Sequence, residues 1–135
     1  MHIAIVDDLE SDRCSLGDLL ERYFESVGMN LAMDVYESGE AFLQRTTDSE
    51  YDLVFLDIFM KELTGMEVAR QMAADGSRCP VIFLTTSMDY ALEGYEVGAF
   101  RYLLKPVDQA KLEQTLSVFM DRFQKGERKL PLMVD

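Results

Sequence analysis

Asp7 and Asp8 follow the apolar run Ile3 to Val6, Asp57 follows Leu53 to Leu56, Thr85 follows Val81 to Leu84, and Lys105 follows Phe100 to Leu104. Three carboxylates brought to one edge of a sheet repel one another by roughly 1–4 kcal/mol per pair unless a cation lies among them. Mg²⁺ suits such a place, because it takes a few carboxylate or carbonyl oxygens and keeps several waters. With a hydroxyl and an amine added, these residue types support phosphoryl transfer to a carboxylate: the metal neutralises the incoming group while the protein positions it. Asp57 is the expected nucleophile, since it ends the most apolar run and an acyl phosphate forms directly on a carboxylate. Lys105 and Thr85 are expected to contact phosphoryl oxygens. A single Asp before a helix is more often an N-cap. Five coincident positions after apolar runs point instead to a site.

The segments that must position these residues alternate between strand-like and helix-like patterns, five times over. Strands are expected at His2–Val6, within Asn30–Tyr36, and at Leu53–Leu56, Val81–Leu84 and Phe100–Leu104. The first helix carries Leu16, Leu19, Leu20, Tyr23, Phe24 and Val27 as one apolar stripe, with Gly28 as its stop signal. Ser38 offers an N-cap to a short helix containing Ala41, Phe42 and Leu43, and a helix after Gly65 turns Val68, Ala69 and Met72 inward. A further helix runs through Ala91, Leu92 and Tyr95, and the last starts near Asp108 with the stripe Leu112, Leu116, Phe119, Met120 and Phe123. Such alternation forces right-handed crossovers and a parallel sheet with helices on both faces, with ligands beyond the carboxyl ends of the strands.

Composition narrows the function classes. A chain of 135 residues that is 48% hydrophobic suits one domain with a single core. Its net charge of −12 is a poor match for phosphate backbones or anionic lipid, so DNA contact would have to lie in another domain. Charges interrupt every apolar run and the first strand begins at His2, so neither a leader nor a membrane span is expected, and the expected location is cytoplasmic. Cys14 and Cys79 lack CxxC spacing, and His2 has no partner for a zinc cluster, so all three read as structural. Met66, Met72 and Met120 read as core filler.

Asp7-Asp8, Asp57 within Asp52 to Asp57, Thr85 and Lys105-Pro106, in this order and spacing, resemble the receiver (CheY-like) domain of two-component response regulators over residues 1–125. The resemblance implies a flavodoxin-like (βα)5 fold, a doubly wound parallel five-stranded sheet of order 2-1-3-4-5. It implies Mg²⁺ held by Asp8, Asp57 and the backbone carbonyl of Phe59, with Asp7 acting largely through water, and a cis peptide at Lys105-Pro106. It further implies phosphorylation of Asp57 by a sensor histidine kinase, in a phosphoacceptor that assists its own phosphorylation and dephosphorylation without being an enzyme. Thr85 and Tyr102 match the family's switch pair. A switched face made of the helix around Ala91 to Tyr95, the strand Phe100–Leu104 and the last helix is a possible homodimer surface by the same resemblance.

Phe59 is bulky and apolar where many members of the family carry a polar side chain that helps orient a hydrolytic water, and Thr86 is larger than the Ala or Gly common there, which predicts slow loss of phosphate. The stretch from Tyr90 to Pro106 resembles receivers of LytTR-class transcriptional regulators, and Leu130, Leu132 and Val134 alternate as the first strand of a LytTR DNA-binding domain would. Residues 126–135 are then a linker or the start of a truncated output domain; the alternative is a polar tail on a stand-alone receiver that works as an interaction module. A haloacid dehalogenase-type Mg²⁺ phosphohydrolase is disfavoured because Asp57-Ile58-Phe59 lacks the second acid of a DxD motif. A flavin-type binder is disfavoured because no Gly-rich phosphate loop follows the first strand.

Overall fold

A computed structural model describes residues 1–45, 51–87 and 99–125. Along the chain run β1 (His2–Val6), α1 (Glu10–Ser26), β2 (Ala32–Tyr36), α2 (Gly39–Arg45), β3 (Leu53–Asp57), α3 (Gly65–Ala74), β4 (Val81–Thr85), β5 (Arg101–Leu104) and α4 (Gln109–Gln124). All strand pairs are parallel, and the sheet order is β2-β1-β3-β4-β5, the expected flavodoxin-like topology. The helix expected through Ala91, Leu92 and Tyr95, and the tail from Gly126, lie outside the described residues.

Side chains alternate across a strand, so the continuous apolar runs of β1, β3 and β4 feed two cores at once. Ile3, Ile5, Leu53, Phe55, Ile82 and Leu84 point to one face, where Leu16, Leu20 and Phe24 of α1 and Leu112, Leu116 and Phe119 of α4 cover them. Ala4, Val6, Val54, Leu56 and Phe83 point to the other, beneath Phe42 of α2 and Val68, Ala69 and Met72 of α3. Met66, Met72 and Met120 are buried as filler. β2 lies at one edge of the sheet and is mostly exposed.

Local chemistry starts and stops the helices where the sequence signals stand. Thr64 and Glu67 form a capping box at α3: the Glu67 amide donates to Thr64 Oγ1 at 3.2 Å, and the Thr64 amide donates to Glu67 Oε1 at 2.8 Å. The Ala41 amide donates to Ser38 Oγ, so Ser38 acts as the expected cap, and the Lys111 amide donates to the carboxylate of Asp108, which caps α4. Gly28 takes φ +69 after α1, a left-handed conformation that glycine adopts without a Cβ penalty. Val27 departs from the expected stripe: α1 ends at Ser26, and Val27, now the C-cap, leaves the helical path and is 50% exposed. Strands β3 and β4 each run one residue further than expected, taking Asp57 and Thr85 into the ladder, while β5 starts at Arg101 instead of Phe100.

His2 and Cys79 are tied into the structure as expected. His2 Nε2 lies 2.9 Å from Asp34 Oδ2, which also accepts from the Tyr51 hydroxyl at 2.8 Å, and Cys79 Sγ donates to the Tyr51 carbonyl at 3.3 Å. Cys14 is exposed. Among the described residues no helix is long and apolar enough to cross a membrane.

Phe55, fully buried between the sheet and the α1/α4 layer, tests the packing. Phe55→Ala is expected to cost about 3–5 kcal/mol by urea denaturation, whereas Val27→Ala should change stability by less than about 0.5 kcal/mol.

Candidate functional site

The sheet register brings the ends of β1 and β3 level. Val6 pairs with Leu56, so Asp7 and Asp57 emerge side by side. Asp7 is fully buried, its amide donating to the Tyr36 carbonyl at 3.1 Å and its Oδ1 accepting from the Leu9 amide at 3.0 Å. Asp57 is 3% exposed and accepts from the Phe59 amide at 3.3 Å. Asp8 is half-buried and opens onto a cleft of about 370 Å³ bordered by Glu37, Glu40, Met60 and Glu62. Asp7, Asp8 and Asp57 each offer a carboxylate oxygen, and these three atoms lie within 4.8 Å of one another.

Lys105 is aimed at this group from β5, whose end is fixed by a 2.7 Å bond from the Lys105 amide to the Thr85 carbonyl. Its Nζ donates to Asp7 Oδ2 at 2.9 Å and lies 3.5 Å from Asp57 Oδ1. The Lys105-Pro106 peptide is cis, as expected. Burial alone would lower the Lys105 ammonium, but its hydrogen bonds to Asp12 and Asp7 and the charges of Asp57 and Asp7 outweigh it, holding the group above the ordinary lysine range. Asp57 is pushed up to about 7 by burial and by the neighbouring Asp7 charge, against the opposing pull of Lys105 and the Phe59 amide.

Thr85 and Tyr102 stand apart from this cluster in role. Thr85 is fully buried at the end of β4, and its hydroxyl donates to the Ser87 carbonyl at 2.6 Å while accepting from the Ser87 amide at 3.0 Å. That turn directs the hydroxyl hydrogen to the main chain. Tyr102 is half-buried on β5 and lays its ring on Phe83, with centroids 5.4 Å apart. Phe59 exposes 45% of its surface at the rim.

Three residues assigned no part in the site from the sequence help to build it. Asp12 on α1 accepts from Lys105 Nζ at 2.8 Å, and Arg13 Nη1 donates to the Asp7 carbonyl at 2.8 Å. Asp12 lies in the first turn of α1, which follows directly on the Asp7-Asp8 pair. Gly65 opens α3 directly against β3: a Cβ built there would stand 2.2 Å from the Asp57 carbonyl oxygen, so only glycine lets the helix approach so closely.

The sequence profile of the response regulator receiver domain matches residues 3–117. The sensory transduction protein LytT of Bacillus subtilis is 31% identical over 119 residues, covering 88% of this chain and 48% of that protein. Among solved structures, the response regulatory domain of mrkE from Klebsiella pneumoniae shares the fold at a TM-score of 0.77 and 23% identity, covering 93% of this chain and 99% of that one. The BeF3-activated receiver domain of DrrB, a protein of Thermotoga maritima, is 26% identical with a TM-score of 0.69, covering 90% and 97%. The chain spans about half the length of the curated relatives it matches.

The Asp57 environment sets a pH dependence for the metal-free protein. A carboxyl raised to about 7 in the folded state binds its proton more tightly than in the unfolded chain, where it titrates at about 4. The penalty for burying the charge is therefore full above about pH 7, shrinks as pH falls, and is gone near about pH 4. Asp57→Asn is expected to be the more stable chain at pH 8 by up to a few kcal/mol, with the advantage fading toward pH 4. Urea midpoints in the presence of a chelator measure it; a gain that is flat with pH would assign the effect to something other than charge.

Proposed function

The chain belongs to the response regulator receiver family, and from that premise we propose that Asp57 accepts a phosphoryl group from a sensor histidine kinase, with Mg²⁺, and that the change drives an output. The observation that carries this reading is the buried Asp57 carboxylate, with two further acids supplying oxygens within 4.8 Å and an ammonium 3.5 Å away. A transferred anion suits that combination of a carboxylate oxygen, a hard-cation donor set and a fixed positive charge.

The donor set fits Mg²⁺, since it consists of carboxylate oxygens and leaves room for water. Asp8, Asp57 and the Phe59 carbonyl would hold the ion, with Asp7 acting largely through water. Bound there, Mg²⁺ would offset the charge of the incoming phosphoryl group and keep it in line with Asp57. The rest falls to the chain. A carboxylate oxygen of Asp57 forms the new P–O bond as the P–N bond to the kinase histidine breaks, and the imidazole leaves with a proton from solvent. Lys105 then pairs with a phosphoryl oxygen. Thr85 exchanges its bond to Ser87 for one to the phosphoryl group, vacating space into which Tyr102 moves. In this reading the chain is a phosphoacceptor that assists its own phosphorylation and dephosphorylation.

The resemblance to LytT supports an output of LytTR type, with residues 1–125 as the receiver and 126–135 as a linker or the first strand of that output domain. DNA contact would belong to that domain, consistent with the acidic charge of this chain. The face formed by the helix expected around Ala91 to Tyr95, β5 and α4 would carry the switch and a homodimer contact, and the protein would act in the cytoplasm.

Incubation with Mg²⁺ and phosphoramidate should add one phosphoryl group to the original chain, read by intact mass, and none to Asp57→Asn. Uptake by neither chain would overturn the reading. Phe59 is exposed at the rim and Thr86 is exposed next to Thr85; Phe59 would offer no polar group to orient a hydrolytic water, and Thr86 would crowd its approach. Phe59→Asn is expected to speed phosphate loss several-fold; an unchanged lifetime would remove Phe59 from the account.

A further inference from the structure

Lys105 does not spend its ammonium on the buried acids alone. Its shortest contact, 2.8 Å, is to Asp12 Oδ2, ahead of Asp7 at 2.9 Å and Asp57 at 3.5 Å. An ammonium has three protons, so the helix carboxylate takes a full share of the donors available. The three partners differ in how easily they release it. The Asp7 and Asp57 side chains are 1% and 4% exposed, and either, left alone, would be a buried charge without compensation. Asp12 is 36% exposed and can turn to water. Its backbone is anchored at the start of α1, where Arg13 in the same turn is bound to the Asp7 carbonyl at 2.8 Å and the Arg13 amide to the Leu9 carbonyl at 3.0 Å. The lysine, on a four-carbon stem, is the part that moves. A small cavity of about 70 Å³ between Asp12, Ser15, Lys105 and Val107 gives it space on the α1 side.

We propose that Asp12 is a positioning residue that draws the Lys105 ammonium toward α1 and away from Asp57 until a phosphoryl group competes for it. This rests on the phosphoacceptor reading of Asp57. Two consequences follow from one displacement. With Lys105 drawn aside, the carboxylates that would hold Mg²⁺ are less occupied by a competing cation. After transfer, the phosphoryl oxygen and Asp12 compete for the same ammonium, so Asp12 weakens the hold on the phosphoryl group. Replacing Asp12 by a neutral residue should let Lys105 settle on Asp57 and Asp7, which weakens Mg²⁺ binding and lengthens the life of the phosphorylated form.

The test is Mg²⁺ affinity by calorimetry, with phosphate lifetime by intact mass alongside. Asp12→Asn should weaken Mg²⁺ binding and slow phosphate loss, each several-fold, and Asp12→Ser should repeat both. Asp12→Glu should restore both. Glu10→Gln removes the same charge from the same exposed turn and controls for the field of a distant carboxylate. In a Lys105→Ala background, Asp12→Asn should leave Mg²⁺ affinity nearly unchanged, because the lysine through which it acts is gone. An effect of Asp12→Asn that equals that of Glu10→Gln, or that persists without Lys105, would overturn the inference. Phosphate uptake at Asp57 combined with either result would sink the role of Asp12 alone; no uptake would sink the phosphoacceptor reading, and absence of Mg²⁺ binding by the original chain would sink both.

Discussion

Asp7 and Asp57 are both almost fully excluded from water at neighbouring strand ends, and their mutual repulsion is the constraint around which the carboxyl edge of the sheet is arranged. Burial raises the Asp57 carboxyl far above the ordinary range, and the neighbouring Asp7 charge adds to that rise. The fold answers with one cation. Lys105 reaches both acids from β5, two strands away from β3 in the sheet, and its backbone is locked to Thr85 of the intervening strand. A parallel sheet in which β1 and β3 are neighbours and β5 closes the row is thus an electrostatic requirement as much as a packing one. The same arrangement makes the edge receptive to a further cation, since one ammonium shared among three carboxylates leaves negative charge over.

The strand pattern was legible because apolar runs buried on both faces admit few other readings: Ile3 and Ile5 serve one core, Ala4 and Val6 the other, and a helical register would scatter them. The grouping of Asp7, Asp8, Asp57 and Lys105 followed from the topology, since residues after parallel strands must meet at one edge. What was not legible depended on side-chain direction. Nothing in Thr85-Thr86-Ser87 as letters says that the Thr85 hydroxyl closes a turn onto the Ser87 backbone. Asp12 was one acid among many on an acidic chain, and its partner lies 93 residues away. Val27 fits the helical period but falls after the helix has ended, where a one-residue shift in the stop signal decides whether a side chain is covered.

α3 shows how closely the elements near the site are coupled. Its capping box fixes the first turn, and Gly65 lets that turn rest on the main chain of Asp57 and Ile58, with the Gly65 amide donating to the Ile58 carbonyl at 2.9 Å. The strand that ends in Asp57 and the helix that follows it therefore form one unit, joined by the short loop from Ile58 to Thr64. A movement of the Asp57 backbone has no slack to absorb it before it reaches Val68 and Met72 in the core beneath α2.

The layering of α1 with α4 bears on how the chain comes to be folded at all. Ile3 and Ile5 leave the chain's beginning buried, yet half of their cover, Leu112, Leu116 and Phe119, belongs to the last helix described. Their shelter closes a loop of over a hundred residues, and the bond from Lys105 to Asp7 closes one of 98. During synthesis from the N-terminus, then, β1 waits with one face only half covered, by α1, and its terminal acid without the Lys105 counter-charge until nearly the whole domain has been made. Acquisition of the native core and neutralisation of the carboxylate edge become a single late event, so that a chain cut short before α4 is left at once sticky along β1 and overcharged at its tip.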